Sequence, residues 1–206
     1  MKCYFPRWCA LLFAFFVLFM GCSKKDQPTQ TQNDDAAGGV LIPLKLGNSW
    51  KYRDEDRREY TWTVIEEKEI LREHMYGFPY DGTELEWLSN RTDGVYGYSR
   101  EYFSFKEGIY MRWKYPARVG ESFLRLNLNS HSLVLASVKD SDVRVVTPAG
   151  DFRCLLYEMV YNLSDGKTET LREFFHPGIG LVRGEYIYSY APGATSTEEL
   201  IEYKIN

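Results

Sequence analysis

Turn-forming residues recur at short intervals from Val40 to the end of the chain, and they limit the length of every element between them. Aspartate or proline stands close to glycine at five places, a combination that favours tight turns. These places are Asp81-Gly82, Asp93-Gly94, Pro148-Ala149-Gly150, Asp165-Gly166 and Pro177-Gly178. The runs between them are rich in Val, Ile, Tyr, Trp, Phe and Thr, which suit the pleated surface of a sheet. This pattern predicts short antiparallel strands.

Several of these runs alternate with the period of two that sends successive side chains to opposite faces of a strand. The stretch EYTWTVIEE places Tyr60, Trp62 and Val64 on one face. The stretch GIYMRWKYP places Met111 and Trp113 on one face and Arg112 on the other. The segment DVRVVTPAGDFRCLLYEMVY predicts a hairpin that turns at its glycine.

We therefore predict an all-β domain over residues 40–206, a length that suits one domain. Its strands are expected to be mainly antiparallel and to form a curved, meander-like sheet or a partial barrel. Stretches with the period of a helix are short. We expect only one or two short helices, at Leu41 to Leu46 and at Thr83 to Ser89.

The first 21 residues predict a secretory signal peptide. Lys2 and Arg7 supply a positively charged start, and an unbroken apolar run follows from Cys9 to Met20. A helix that spans a bilayer needs about 18 or more apolar residues, so this run is short for a membrane anchor. A charged start, a short apolar middle and a small residue at the end are typical of a cleaved export signal.

The boundary FMGC, residues 19–22, resembles the lipobox of bacterial lipoproteins. Phe19 occupies the position where that family usually has leucine, and Leu18 lies one step earlier. The resemblance implies cleavage after Gly21, transfer of a diacylglyceryl group to the Cys22 thiol, and acylation, commonly by palmitate, of the new amino group. Two or more acyl chains make a stable anchor. Cys22 is thus the expected lipidation site.

Residues 22–39 predict a flexible linker behind that anchor, because they contain no large apolar side chain. Ser23 is not the aspartate that resembles an inner-membrane retention signal. We therefore expect attachment to the outer membrane, on its periplasmic face or at the cell surface. Removal of the signal leaves 23 basic and 29 acidic residues, a net charge of −6. This balance argues against a nucleic-acid partner.

Four landmarks of the predicted domain resemble a group of uncharacterised bacterial lipoproteins: IPLKLGNSWKY, YPARVGESF, VVTPAGDFRCLLYE and FFHPGIGLVRGE. Phe123 replaces a tryptophan that is often found in the second landmark. The resemblance implies a curved antiparallel β fold and implies no reaction. The glycines of the landmarks also have a mechanical interpretation, since they permit turns ahead of aromatic anchors.

Motifs of enzymes and metal sites are missing from the sequence. It contains no Gly-x-Ser-x-Gly, no phosphate loop, no His-Glu-x-x-His and no Cys-x-x-Cys. Glu173 and His176 have a spacing that suits metal binding on a helix, but TLREFFHPG is predicted to be a strand, where residues three apart point to opposite faces. We expect no cofactor and no metal.

Cys154 is the only cysteine beyond Cys22, which excludes a disulfide within the mature chain. On a predicted strand Cys154 points to the same face as Phe152 and Leu156, because the three residues are spaced two apart. This spacing indicates that Cys154 is a small apolar residue of the core. The alternative is a nucleophile paired with His131 or His176. A reactive thiol needs exposure and a lowered pKa, and the sequence signals neither.

Two hypotheses for function remain. The first is a non-catalytic, lipid-anchored envelope protein that binds an apolar ligand, a glycan or another envelope protein, or acts as an assembly accessory. The second is an envelope hydrolase with an unrecognised active site. If the domain binds a ligand, rows of tyrosine are the candidate surface, since each ring pairs an apolar face with a hydroxyl. The candidates are Tyr186, Tyr188, Tyr190, Tyr96 and Tyr98. Cross-strand aromatic pairs at a core rim would produce the same rows.

Overall fold

The computed structural model describes residues 39–79, 85–100, 106–127, 132–163, 166–191 and 193–206. The predicted signal peptide, Cys22 and the rest of the linker up to residue 38 lie outside the described residues. The described chain is built from strands and contains no helix, which confirms the all-β prediction. Within it, no segment could cross a membrane as an apolar helix.

Thirteen strands are present in the described ranges. They are β1 Ser49–Asp54, β2 Glu59–Thr63, β3 Glu66–Ile70, β4 Glu73–Pro79, β5 Leu85–Arg91, β6 Gly94–Ser99, β7 Gly108–Lys114, β8 Ser122–Asn127, β9 Ser132–Thr147, β10 Gly150–Asn162, β11 Thr168–His176, β12 Gly180–Tyr188 and β13 Thr195–Lys204.

The strands form two antiparallel sheets, neither of which closes into a barrel over the described residues. The large sheet has the order β2-β1-β13-β12-β11-β10-β9-β8, and the small sheet has the order β3-β4-β5-β6-β7. The small sheet is a meander, as predicted. The large sheet is a meander from β8 to β13, to which β1 adds by pairing with β13. The expected single sheet is thus divided in two.

The core contains buried apolar side chains from both sheets. Trp50 of the large sheet lies 6.0 Å from Phe78 of the small sheet, measured between ring centroids. Trp113 of the small sheet lies 4.9 Å from Phe175 of the large sheet. Aromatic pairs at such distances add to the gain from buried area. They hold the two sheets together.

Both predicted helices are wrong. Leu41 to Leu46 is irregular because Pro43 lacks an N–H and restricts the residue before it. The side chain of Asn48 donates to the Pro43 carbonyl at 2.7 Å, where a helix would have used a backbone donor. Residues 85–89 of the second segment belong to β5, whose backbone pairs with β4 and β6. Neighbouring strands outweighed the local helical preference there.

The predicted turn at Asp93-Gly94 is confirmed, and its glycine is required. Gly94 has a φ of 156°, and an added Cβ would lie 2.3 Å from the Trp113 carbonyl oxygen. Only a residue without a side chain tolerates that approach. Close packing of β6 on β7 therefore depends on this position.

The alternation predicted for β7 is interrupted at Arg112. Val95 pairs with Trp113 while Tyr96 pairs with Met111, so Arg112 is an extra residue, as in a β-bulge. A bulge changes which face the following side chains occupy. Arg112 is consequently buried next to Trp113, although the sequence pattern predicted opposite faces for them.

The predicted hairpin of β9 and β10 is confirmed, and so is the burial of Cys154. Phe152 and Cys154 are buried as the parity predicted, but the register shifts on both sides of Leu156. After the shift, Leu155 and Tyr157 are the buried side chains of this part of β10, and Leu156 is only half-buried. The prediction that Leu156 shares a face with Phe152 and Cys154 is therefore wrong.

Candidate functional site

A cleft of about 830 Å³ lies between the two sheets. Strands β4, β5 and β7 of the small sheet line it from one side, and β2, β8 and β10 to β13 of the large sheet line it from the other. Its volume falls in the range of about 300–1,000 Å³ that is usual for small-molecule sites. We call it the inter-sheet cleft.

Six charged residues line the inter-sheet cleft, four acidic and two basic. They are Glu86, Glu169, Glu173, Glu198, Arg112 and Arg125. Buried charges are costly unless they are paired and hydrogen-bonded, so charged side chains on an interior wall mark a candidate site.

Glu173 accepts hydrogen bonds at both of its carboxylate oxygens. Arg125 donates to both of its oxygens, from Nη1 to Oε2 at 2.5 Å and from Nη2 to Oε1 at 2.9 Å. Trp113 donates from Nε1 to the same Oε2 at 2.6 Å. Arg125 and Glu173 are 6% and 7% exposed. The bidentate geometry and the indole donor offset part of the desolvation cost of this pair, and they fix the carboxylate in place.

A second ion pair lies on the small sheet. Nη2 of Arg112 on β7 lies 3.1 Å from Oε1 of Glu86 on β5, and each side chain is 9% exposed. Strand β6 runs between them, and Gly97 makes the crossing possible. A Cβ added there would lie 2.9 Å from the Arg112 side chain. The bulge in β7 and a glycine in β6 together position this pair.

Trp113 connects the two ion pairs. The guanidinium carbons of Arg112 and Arg125 each lie 4.9 Å from the centroid of its ring. Cations at such distances are attracted to the face of an indole. The two ion pairs, one on each sheet, therefore meet around a single aromatic ring.

Also on the large sheet, Glu198 of β13 accepts a hydrogen bond at Oε2 from the Tyr60 hydroxyl of β2. Burial raises the pKa of Glu198, an effect that the hydrogen bond from Tyr60 partly opposes. Burial also raises the pKa of Tyr60, and Glu198 adds to that increase. In both groups burial therefore shifts the protonation equilibrium toward the neutral form.

Aromatic side chains complete the lining. They are Tyr60, Trp62, Trp113, Tyr161 and Tyr186. Burial raises the pKa of Tyr186, with contributions from Glu173 and Glu198. Its hydroxyl therefore stays protonated and can act as donor or acceptor.

A small apolar pocket of about 20 Å³ adjoins the inter-sheet cleft. The two cavities share Trp62, Pro79, Glu86, Trp113 and Leu181 as walls. The pocket reaches deeper into the core, where its remaining walls are apolar apart from the Tyr52 hydroxyl, the Trp50 indole N–H and backbone groups. The cleft is thus polar along its length and apolar at one point of its floor.

The five tyrosines predicted from sequence lie in different surroundings. Tyr186 lines the cleft. The Tyr190 hydroxyl donates to Glu169, a cleft residue, at 3.0 Å, and the ring of Tyr188 lies 5.6 Å from that of Tyr190. These two tyrosines are therefore near the rim.

The other two belong to the small sheet and do not line the cleft. Tyr96 donates to Asp93 at 2.9 Å, and its ring carries the Arg91 guanidinium at 3.9 Å. Tyr98 donates to Glu107. The two rows of tyrosine predicted from the sequence thus belong to separate surfaces.

Glu173 and His176 do not form a shared site. Glu173 faces the cleft, whereas Nδ1 of His176 lies 2.7 Å from the Arg153 carbonyl oxygen. Strand geometry separates residues three apart, as expected. Among the described residues, no group of three or more His, Cys, Asp or Glu side chains could hold a metal ion. His131 lies outside those residues.

We expect Cys154 to react slowly with an alkylating agent in the folded protein and rapidly in denaturant. Its side chain is buried, and burial raises the pKa of the thiol to about 12, so the reactive thiolate is scarce at neutral pH. Mass spectrometry of the peptide that contains residue 154, after iodoacetamide treatment with and without urea, measures both rates. Fast labelling without urea would support the nucleophile interpretation instead.

Sequence reasoning missed most of the cleft: Arg112, Arg125, Glu86 and Glu198 were not candidates. One signal was present for Arg125, which stands between Leu124 and Leu126 in an apolar run. A lone charge in such a run can indicate a buried pair. Its partner could not be identified, since Glu173 is 48 residues away in sequence.

No protein-family model matches the sequence, and no curated protein matches it. Two solved structures resemble the chain. One is a candidate lipoprotein from Parabacteroides distasonis, 16% identical, with a TM-score of 0.47 over 81% of this chain and 99% of that chain. The other is a candidate exported protein with a YmcC-like fold from Bacteroides fragilis, 17% identical, with a TM-score of 0.41 over 81% of this chain and 100% of that chain. At these scores and identities, neither likeness carries an argument about ligand, partner or reaction.

Proposed function

We propose that this protein is a non-catalytic binding protein of the cell envelope, held at the outer membrane by lipidated Cys22, and that its inter-sheet cleft binds a glycan. The observation that carries the proposal is the cleft itself. It is a cavity of about 830 Å³ whose lining combines aromatic rings with buried, oriented hydrogen-bonding groups.

The chemistry of the lining favours a polyhydroxyl ligand over a purely apolar one. Sugars present apolar ring faces, which pack on aromatic side chains, and hydroxyl groups, which both donate and accept hydrogen bonds. Carboxylates and guanidinium groups lie side by side in the cleft and can serve both roles. An apolar ligand would instead leave these buried polar groups without compensation for lost water.

The geometry also favours binding over catalysis. The carboxylate of Glu173 is engaged by Arg125 and Trp113, three hydrogen bonds in all, so it is held as a fixed acceptor. A general acid or base has to gain and lose its proton during the reaction. A carboxylate whose two oxygens are both engaged in this way is better suited to recognition.

We expect Tyr186→Ala to weaken glycan binding by about 2- to 10-fold, since an aromatic contact is worth about 0.5–1.5 kcal/mol. Tyr98→Ala is the matched control, because Tyr98 is also a half-buried tyrosine of a strand but does not line the cleft. Isothermal titration of the full-length protein in detergent with envelope oligosaccharides measures both. Equal weakening by the two variants, or no binding by the wild type, would contradict the proposal.

Chromatography of the same mixtures tests for cleavage of the oligosaccharide. Product formation would contradict the proposal that the protein is non-catalytic.

We expect Cys22→Ser to move the protein from the membrane fraction to the soluble fraction, since the acyl chains would have no attachment point. Cys154→Ser is the matched control and should remain with the membrane. Fractionation and metabolic labelling with a fatty acid measure the outcome. Continued fatty-acid labelling of the Cys22→Ser protein would refute the assignment.

A further inference from the structure

We infer that the glycan bound in the inter-sheet cleft carries an N-acetylated amino sugar, whose acetyl methyl group enters the small apolar pocket beside Glu86. This inference rests on the proposed function and adds the chemical class of the ligand. Three features carry it: a small pocket with mainly apolar walls, a buried acceptor without a hydrogen bond at the junction of the two cavities, and a buried donor without a hydrogen bond on the facing wall.

The pocket has the size of a methyl group. Its volume is about 20 Å³. On the same measure one enclosed water needs about 10–15 Å³, so the space admits one small group and excludes a longer chain. Ile42, Phe78, Leu88 and Phe175 are among its walls. Apolar cavities of this kind are poorly occupied by water and bind apolar groups instead.

Glu86 stands where the pocket meets the cleft, since it lines both. Its side chain is 9% exposed, and its Oε1 atom accepts no hydrogen bond from the described residues. Nη2 of Arg112 lies 3.1 Å from that oxygen, so the two groups are in ionic contact without the angles of a hydrogen bond. A buried acceptor in this state gains from an N–H donor supplied by a ligand.

The facing wall of the cleft, on the large sheet, offers a donor. Arg125 is 6% exposed and lines the cleft, and its Nε atom has no hydrogen-bond partner among the described residues. Its other nitrogens are occupied by Glu173 and by the Met159 sulfur. A ligand carbonyl oxygen that approaches this guanidinium could accept a hydrogen bond from Nε.

An acetamido group matches all three features together. It presents one N–H donor, one carbonyl acceptor and one methyl group within a few bonds. A plain hydroxyl would leave the apolar pocket empty. A free ammonium could bind Glu86, but it has neither the methyl group nor the acceptor.

The first test compares disaccharides that differ only at the acetamido position, with the full-length wild-type protein in detergent. Diacetylchitobiose should bind at least about 10-fold more tightly than cellobiose or the deacetylated dimer, since one methyl group in a fitted apolar pocket is worth about 10- to 200-fold. Equal affinities would overturn this inference and leave glycan binding standing. Absence of binding by every sugar would overturn both proposals. A disaccharide of N-acetylglucosamine and N-acetylmuramic acid, run in parallel, separates a peptidoglycan source from another polysaccharide.

A second test uses the size of the pocket. The N-butanoyl analogue of chitobiose should bind wild type at least about 10-fold more weakly than the acetyl form, because the chain exceeds the space. Leu88→Ala enlarges the pocket without changing the cleft, since Leu88 lines only the former. This variant should recover binding of the N-butanoyl analogue, a gain that general destabilisation cannot produce. Wild type that accepts both analogues equally would overturn the inference, and that comparison stands even if Leu88→Ala does not fold.

Discussion

Glu173→Gln is expected to lower the free energy of unfolding by about 3–5 kcal/mol, the usual cost of removing one partner from a buried ion pair. The change leaves the Arg125 guanidinium buried without its counter-charge and weakens the acceptor of the Trp113 indole. Urea denaturation followed by tryptophan fluorescence measures the loss as a shift of the midpoint.

The matched control for this prediction is Asp151→Asn. Asp151 also forms a bidentate pair, in which Arg144 donates from Nε to Oδ1 and from Nη2 to Oδ2, but both side chains are at least half exposed. Water screens such a pair, so no resolvable shift of the midpoint is expected. The double variant Arg125→Met with Glu173→Met should be less destabilised than Glu173→Gln, because it removes both buried charges. Wild-type stability of Glu173→Gln would mean that the pair is not buried as described.

Trp50→Ala is expected to lower the free energy of unfolding by about 3–5 kcal/mol, as large-to-small changes of a buried aromatic residue do. Trp50 is 2% exposed, its ring packs on Phe78 of the other sheet, and its Nε1 donates to the Ile179 carbonyl at 2.5 Å. It therefore joins three parts of the fold. Trp50→Phe should cost less, about 1–3 kcal/mol, through the loss of that hydrogen bond.

Leu46→Ala is the control for the Trp50 variants, since it lies in the same landmark and is 43% exposed. Exposed substitutions of this kind stay within about 0.5 kcal/mol of wild type. The same urea titration serves all three proteins. Equal losses for Trp50→Ala and Leu46→Ala would contradict the role of Trp50 as an anchor between the sheets.

Local patterns were sufficient to predict the strand class, several individual strands and the turn at Gly94. Alternation and turn chemistry act over a few residues, so they can be read directly from the sequence. The same reasoning placed Cys154 in the core. It failed for Thr83 to Ser89, where pairing with β4 and β6 outweighs a weak local preference. It failed again at Arg112 and Leu156, because bulges change the parity on which face assignment depends.

Most residues of the candidate site could not be predicted from the sequence; Tyr186 is the exception. Its residues come from strands that are adjacent in space and remote along the chain. Arg125 meets Glu173 across 48 positions, and Trp113 meets Glu173 across 60. Nothing local to Glu173 distinguishes it from a solvated glutamate, since the sequence around it contains other charged residues.

The amino-acid sequence by itself determined that residues 40–206 favour antiparallel strands, through side-chain period and turn residues. It also contains the boundary at Cys22 on which the predicted anchor depends. Only the tertiary structure decided that the strands divide into two sheets, that β1 pairs with β13, and that four charged side chains form two buried ion pairs, one within each sheet. The reason is physical. Backbone preference is set by each residue and its neighbours, whereas a cleft exists only where packing brings distant side chains to one place.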